Sequence, residues 1–149
     1  MKKVRGYVFS RQFNSSTVPQ RVQNIVIRDF CYNHNLQYLL SATEYSMPNT
    51  YKILESVLSK IKEIDGIVFY SIFQLPNSSI KRNIIYKKFL NNNKFLYFAA
   101  EDVSVKSKKG FEEIEKMIKI NKSFNKYKEK SQIKYLKNFY NDKRKKKGS

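Results

Sequence analysis

The sequence predicts an α/β fold: three layers, with a mostly parallel sheet of four strands in the order 2-1-3-4 and a basic helix at the C-terminal end. Three observations carry this reading. Four short apolar runs alternate with three amphipathic helical patterns. The connections between them are short, which calls for a parallel sheet covered by helices and joined by right-handed crossovers. Past Val105 the alternation stops and a lysine-rich helical rhythm replaces it.

The first run, "VRGYVFS" (4–10), is rich in β-formers and has no helical spacing. The runs "LQYLLSATE" (36–44), "GIVFYSIF" (66–73) and "KFLYFAAE" (94–101) are similar. Each is apolar nearly throughout and bounded by turn residues, as strands covered on both faces are. The first helix is expected to open with a capping box, Thr17-x-x-Gln20, with Pro19 in its first turn. Val18, Val22, Ile25, Val26 and Phe30 form its stripe, and His34-Asn35 end it. The second is expected from Asn49-Thr50, carries Ile53, Leu54, Val57, Leu58, Ile61 and Ile64, and stops at Asp65-Gly66. The third starts near Ser78-Ser79 and ends in Asn91-Asn92-Asn93.

The expected domains are an α/β unit over 1–105, a basic helical extension over 106–140 (one long helix or a broken pair), and a disordered basic tail over 141–149. Charge follows the same division. The whole chain of 149 residues carries +18, of which residues 106–149 hold a net +11. Basic charge suits nucleic acid or an anionic surface, and non-specific nucleic acid is one expected partner of residues 106–149. Abundant Lys, Asn, Ile and Tyr also mark an AT-rich genome, which weakens composition as a guide. No apolar run approaches the ~20 residues of a membrane span. The single cysteine, Cys31, excludes an internal disulfide, and a cytoplasmic protein is expected. A homo-oligomer is compatible with all of this.

Two resemblances concern the whole pattern. A Gly-Tyr strand ending in Ser10, a long helix, a second strand ending in Glu44 and a third apolar strand opening into a loop resemble the catalytic domain of serine recombinases, the resolvase–invertase group. That likeness implies a resolvase- or flavodoxin-like sheet. In that family arginines surround a nucleophilic serine, one just before it, others after the second strand and a pair after the third. Here Phe9 precedes Ser10, and neither "EYSMPNTYKIL" nor "FQLPNSS" contains arginine. Without those cations phosphoryl transfer lacks its electrostatic support, so strand exchange is not expected. The blocks "GYVFSRQF", "VPQRVQNIVIRDFC", "LQYLLSATEYSMP" and "DGIVFYSIFQLP" resemble a second family, the sporadic carbohydrate cluster proteins of bacterial surface-polysaccharide loci. This second likeness spans residues 5 to about 102 and implies a pathway, surface-glycan assembly, rather than a reaction.

In open parallel sheets ligands bind beyond the carboxyl ends of the strands. The candidate ligand-binding residues there are Ser10, Arg11, Thr17, Ser41, Thr43, Tyr45, Ser71 and Gln74. Glu44 is the candidate catalytic base, and Arg11 the cation that could hold an anion. Ser10 is expected to hold a ligand or turn the chain rather than attack, because no histidine is near in sequence to activate it. The expected partner is an anionic sugar phosphate or nucleotide sugar. Neither metal nor cofactor is implied: one His, one Cys and four Gly supply no ligand cluster and no phosphate loop. A catalytically inactive, resolvase-like nucleic-acid-binding domain is the alternative reading, and a non-catalytic scaffold for glycan enzymes a third.

Overall fold

Alternation of apolar strands with amphipathic helices leaves one economical arrangement, and the computed structural model, which describes residues 1–148, adopts it. The chain runs β1 (Lys2–Val8), α1 (Gln20–Asn33), β2 (Leu36–Thr43), α2 (Lys52–Ser59), β3 (Gly66–Phe69), α3 (Ser79–Asn92), β4 (Phe95–Phe98), β5 (Val103–Val105) and α4 (Lys108–Lys147). Strand order is β2-β1-β3-β4-β5. The first three pairings are parallel, with Tyr7 opposite Phe69 and Phe69 opposite Phe98. The four predicted strands therefore stand in the predicted order. The sheet differs by a fifth strand, antiparallel to β4, with Val103 opposite Phe98. At three residues, "VSV" is too short to show a period, and its turn is made by Asp102 in the left-handed region (φ 53°). β5 covers what would otherwise be an open strand edge.

Side-chain alternation sorts the core into two layers. Val4, Val8, Val68 and Tyr97 face α1 and pack with its Ile27, Phe30 and Cys31. Tyr7, Ile67, Phe69, Leu96 and Phe98 point the other way and are equally buried, as are Leu54, Ile85 and Phe89 of α2 and α3. Burial pushes the Cys31 thiol up to about 11, so it packs as a small apolar group. Gly6 has a steric reason. β2 bulges opposite it, the register skipping from Leu39 to Ala42, and the Ser41 hydroxyl fills the space a Cβ on Gly6 would need. That hydroxyl bonds the Tyr38 hydroxyl at 2.7 Å, so Ser41 staples the bulge.

Two helix starts differ from the sequence reading. α1 begins at Gln20 behind Pro19, and Thr17 makes no capping bond. Pro19 offers its carbonyl to the N–H groups of Val22 and Gln23, which closes the first turn from the backbone. α2 begins at Lys52 rather than at Asn49-Thr50, because Asn49 has left-handed φ (58°) and the N–H groups of Ile53 and Leu54 are taken by the Glu44 carboxylate. It ends at Ser59, and a 3-10 turn (Ile61–Glu63) carries the chain on to β3. α3 starts behind Ser78, whose hydroxyl accepts from Lys81, and ends at Asn93 in the left-handed region, both as its sequence suggests.

Met1–Glu112 forms one compact unit, which includes the first turn of α4, where Phe111 stacks on Tyr86 at 4.5 Å. The remainder of α4 forms the second. α4 is one uninterrupted helix as far as Lys147, running into the 141–149 tail expected to be disordered. Ser149 lies outside the described residues.

Candidate functional site

The site is built by the loops at the carboxyl ends of β1 and β2, with Phe73 and Asn77 added from the connection after β3. After Val8 the chain buries Phe9 and then turns outward. Phe13 and Ser16 exchange backbone bonds (2.9 and 3.0 Å) across Asn14 and Ser15, both with positive φ (48° and 61°), a tight turn that suits Asn. Phe13 holds this loop down edge-on to Phe9 (5.5 Å) and Tyr70 (5.8 Å).

Arg11 ties that loop to the next one. Its guanidinium sits between the rings of Phe9 and Tyr51, 4.4 and 4.6 Å from their centroids. Nη1 donates to the carbonyls of Tyr45 (3.2 Å), Met47 (3.0 Å) and Thr50 (2.7 Å), which fixes the β2–α2 loop. Nη2 is shielded from solvent and has no acceptor among the described residues. A cavity of about 430 Å³ lies between the loops. Among the described residues, Arg11 is its one charged lining group; Phe9, Phe13, Tyr51 and Phe73 supply aromatic wall, and Gln12, Asn14, Asn49 and Asn77 supply amides. The arrangement can take an anion at one end and a ring with hydroxyls along its walls.

Below the cavity two polar networks hold the strand ends. Glu44 is buried, and its carboxylate accepts from the Tyr7 hydroxyl (2.9 Å) and the N–H groups of Tyr45, Ile53 and Leu54 (3.0–3.1 Å). It thus caps α2 from the end of β2, where the helix dipole favours a negative charge. Burial and that carboxylate raise the Tyr7 hydroxyl far above its ordinary range, so it stays a donor. The second network runs through Gln23, wholly buried on α1. Its amide donates to the carbonyls of Phe9 (2.7 Å) and Val18 (2.8 Å) and accepts from Gln74 (2.8 Å). Gln74 in turn accepts from Ser71 N–H, and the Ser71 hydroxyl donates to Glu101 at 2.6 Å. Burial raises the Glu101 carboxyl, while Ser71 and the Ile72 N–H oppose the shift.

The candidate residues therefore separate. Arg11 borders the cavity, and Tyr45 contributes a carbonyl to it through Arg11 while its own side chain is exposed. Ser10, Thr17 and Thr43 are exposed and make no side-chain hydrogen bond to any described residue. Ser41 belongs to the bulge, and Ser71 and Gln74 to the buried network. His34, stacked on Phe30 at 4.1 Å, pairs with Asp102 at 2.7 Å. Sequence reasoning missed Phe13, Asn14, Asn49 and Tyr51 as cavity walls and Gln23 as the network's hub. The two Asn could have been found as left-handed turn residues in loops that flank a strand end.

No family model matches this sequence, and no curated protein matches it. Solved structures do. The chain is similar to a resolvase family site-specific recombinase from Streptococcus pneumoniae, with TM-score 0.60 and 10% identity, covering 86% of this chain and 93% of that one. It is also similar to the N-terminal catalytic domain of TP901-1 integrase, with TM-score 0.56 and 14% identity, covering 87% and 98%. The fold is resolvase-like. Identity this low speaks for the fold alone.

Proposed function

We propose that the chain binds a small anionic sugar derivative, a sugar phosphate or nucleotide sugar, in the cavity between the β1–α1 and β2–α2 loops, and serves surface-glycan assembly. One observation carries this reading: Arg11, whose shielded Nη2 has no acceptor among the described residues, is also the one charged residue among those lining a cavity walled mainly by aromatic rings and amides. A shielded N–H without a partner costs roughly 1–3 kcal/mol, and a phosphate oxygen entering the cavity would bring the missing acceptor. Aromatic faces suit sugar C–H surfaces, and Asn and Gln amides suit hydroxyls. The pathway, surface-glycan assembly, is what the resemblance of the four sequence blocks to the surface-polysaccharide proteins implies.

Calorimetric titration with a hexose 1-phosphate and a uridine diphosphate hexose tests this. Arg11→Gln should weaken binding roughly tenfold to a hundredfold, as loss of a charged hydrogen bond of about 1.5–3 kcal/mol would. Because Arg11 also ties two loops together, Asn77→Ala, on the cavity wall, is the second variant and should weaken binding several-fold with unchanged thermal stability. Ser10→Ala should bind as the parent does. Absence of binding by either compound, or binding indifferent to both wall variants, would sink the reading.

A second reading, nucleic-acid binding by a resolvase-like domain without catalysis, is favoured by the net +11 of residues 106–149. Lysine contacts to phosphates would make that affinity salt-sensitive and blind to sequence.

A further inference from the structure

The outer half of α4 has a feature that neither reading uses. Ile133, Tyr135, Leu136, Phe139 and Tyr140 are each 51–70% exposed, and on a helix they share just under half of the circumference. Lys130, Lys134, Lys137, Asn138 and Asn141 take the other side. From residue 130 to 147 there are eight Lys or Arg and a single acid, Asp142. Two of the cations reach back over exposed rings, Lys143 over Phe139 (4.9 Å) and Arg144 over Tyr140 (5.6 Å). No helix among the described residues is long and apolar enough to cross a membrane.

We propose that this half of α4 lies in the plane of an anionic lipid surface, with the aromatic arc in the acyl boundary and the lysines among the headgroups. Over residues 130–141 a helix too polar to span sets a lysine-asparagine face against an aromatic-aliphatic one, and Lys143, Lys146 and Lys147 close the aromatic side with cations, an arrangement suited to lying in that plane. Tyrosine prefers that boundary, and each lysine brought near an anionic leaflet strengthens attachment several-fold. Cations flanking the arc can bury their stems and keep their charge at the headgroups.

Charge and spacing both speak against a second copy as the occupant. An earlier apolar stripe on α4, Met117, Ile120, Phe124 and Tyr127, has heptad spacing, but its continuation falls on Ser131 and Lys134. The 133–140 arc lies on a different face, so no continuous seam runs along the helix. Pairing two such arcs would also crowd two strongly basic segments. Nucleic acid would use the lysines and leave five apolar side chains in water.

The test uses the full chain and sedimentation with vesicles of phosphatidylcholine alone or of equimolar phosphatidylcholine and phosphatidylglycerol. The chain should sediment with the mixed vesicles and stay in solution with the neutral ones. The triple variant I133Q/L136Q/F139Q keeps every lysine and should lower vesicle partition at least roughly tenfold, since three buried side chains are withdrawn. Its affinity for duplex DNA should not change. Failure to sediment with anionic vesicles overturns the proposal. So does a triple variant that sediments as the parent does, which would reduce the contact to charge alone. A parent oligomer that the triple variant dissociates, without vesicle binding by either, assigns the arc to a second copy and overturns it too.

Discussion

Glu44 and Glu101 stand in the same kind of place, past the carboxyl end of a parallel strand, and each accepts a side-chain hydroxyl and backbone N–H at the start of a helical turn. Their surroundings then diverge. Glu44 is buried with four donors, three of them N–H groups of its own loop and of α2. Glu101 is half-buried, has fewer donors, and its carboxyl is pushed up by burial. What separates them is how completely fixed dipoles replace water around the charge. Four fixed donors make Glu44 a structural cap, whereas fewer donors at Glu101 leave burial to raise its carboxyl. The same residue type at equivalent strand ends therefore does two jobs in one molecule.

The largest expected effect comes from Glu44→Ala. It removes the acceptor for the Tyr7 hydroxyl, for two N–H groups in the first turn of α2 and for that of Tyr45, leaving buried and half-buried donors unpaired. At about 1–3 kcal/mol for each unsatisfied group, with partial relief by water, a loss of roughly 3–5 kcal/mol is expected in urea unfolding. A loss under about 1 kcal/mol would mean that Glu44 is not the cap the geometry describes, and the contrast with Glu101 would collapse.

The hydroxyl partners sharpen the contrast at intermediate size. Tyr7→Phe deletes one donor to a buried charge and should cost about 1.5–3 kcal/mol. Ser71→Ala deletes the donor to the half-buried Glu101 and the cap on the N–H of Phe73, and should cost about 1 kcal/mol. Thermal unfolding of the pair should rank them in that order. The reverse order would make Glu101, past β4, the more important carboxylate.

These contacts also show how far the sequence reaches. The four parallel strands and their order are legible because apolar runs and short connections constrain topology strongly. β5 is not, since three residues carry no period and its pairing depends on where β4 ends. Glu44 is legible as a strand-end carboxylate, but its work is not: the four donors come from β1, from its own loop and from α2 up to ten residues away. Arg11 is legible as a cation near the site, whereas its sandwich between Phe9 and Tyr51 requires two loops to meet. Gln23 looks like any polar residue of a helix, and only its burial beside Phe9 and Gln74 reveals it. Local pattern sets elements and ends; long-range polar partners need the fold.

The smallest effect, and the one that tests the cause of the divergence, is Glu101→Gln. Near neutral pH it gives up charge-assisted bonds to Ser71 and Ile72 but also relieves the burial of a charge, so the net change should stay within about 1 kcal/mol. The pH dependence carries the information. The Glu101 carboxyl in the folded chain lies above its ordinary 4.5, so across the window between the two values the folded state binds more protons than the unfolded state. Stability contributed by Glu101 is therefore fully present below 4.5 and falls as pH rises through the raised folded value, after which it stays level. The variant has no such group. Its stability relative to the parent should rise across that window and then plateau, all other carboxylates cancelling in the difference. A flat difference, or one that falls with pH, would mean that Ser71 and Ile72 outweigh burial at Glu101.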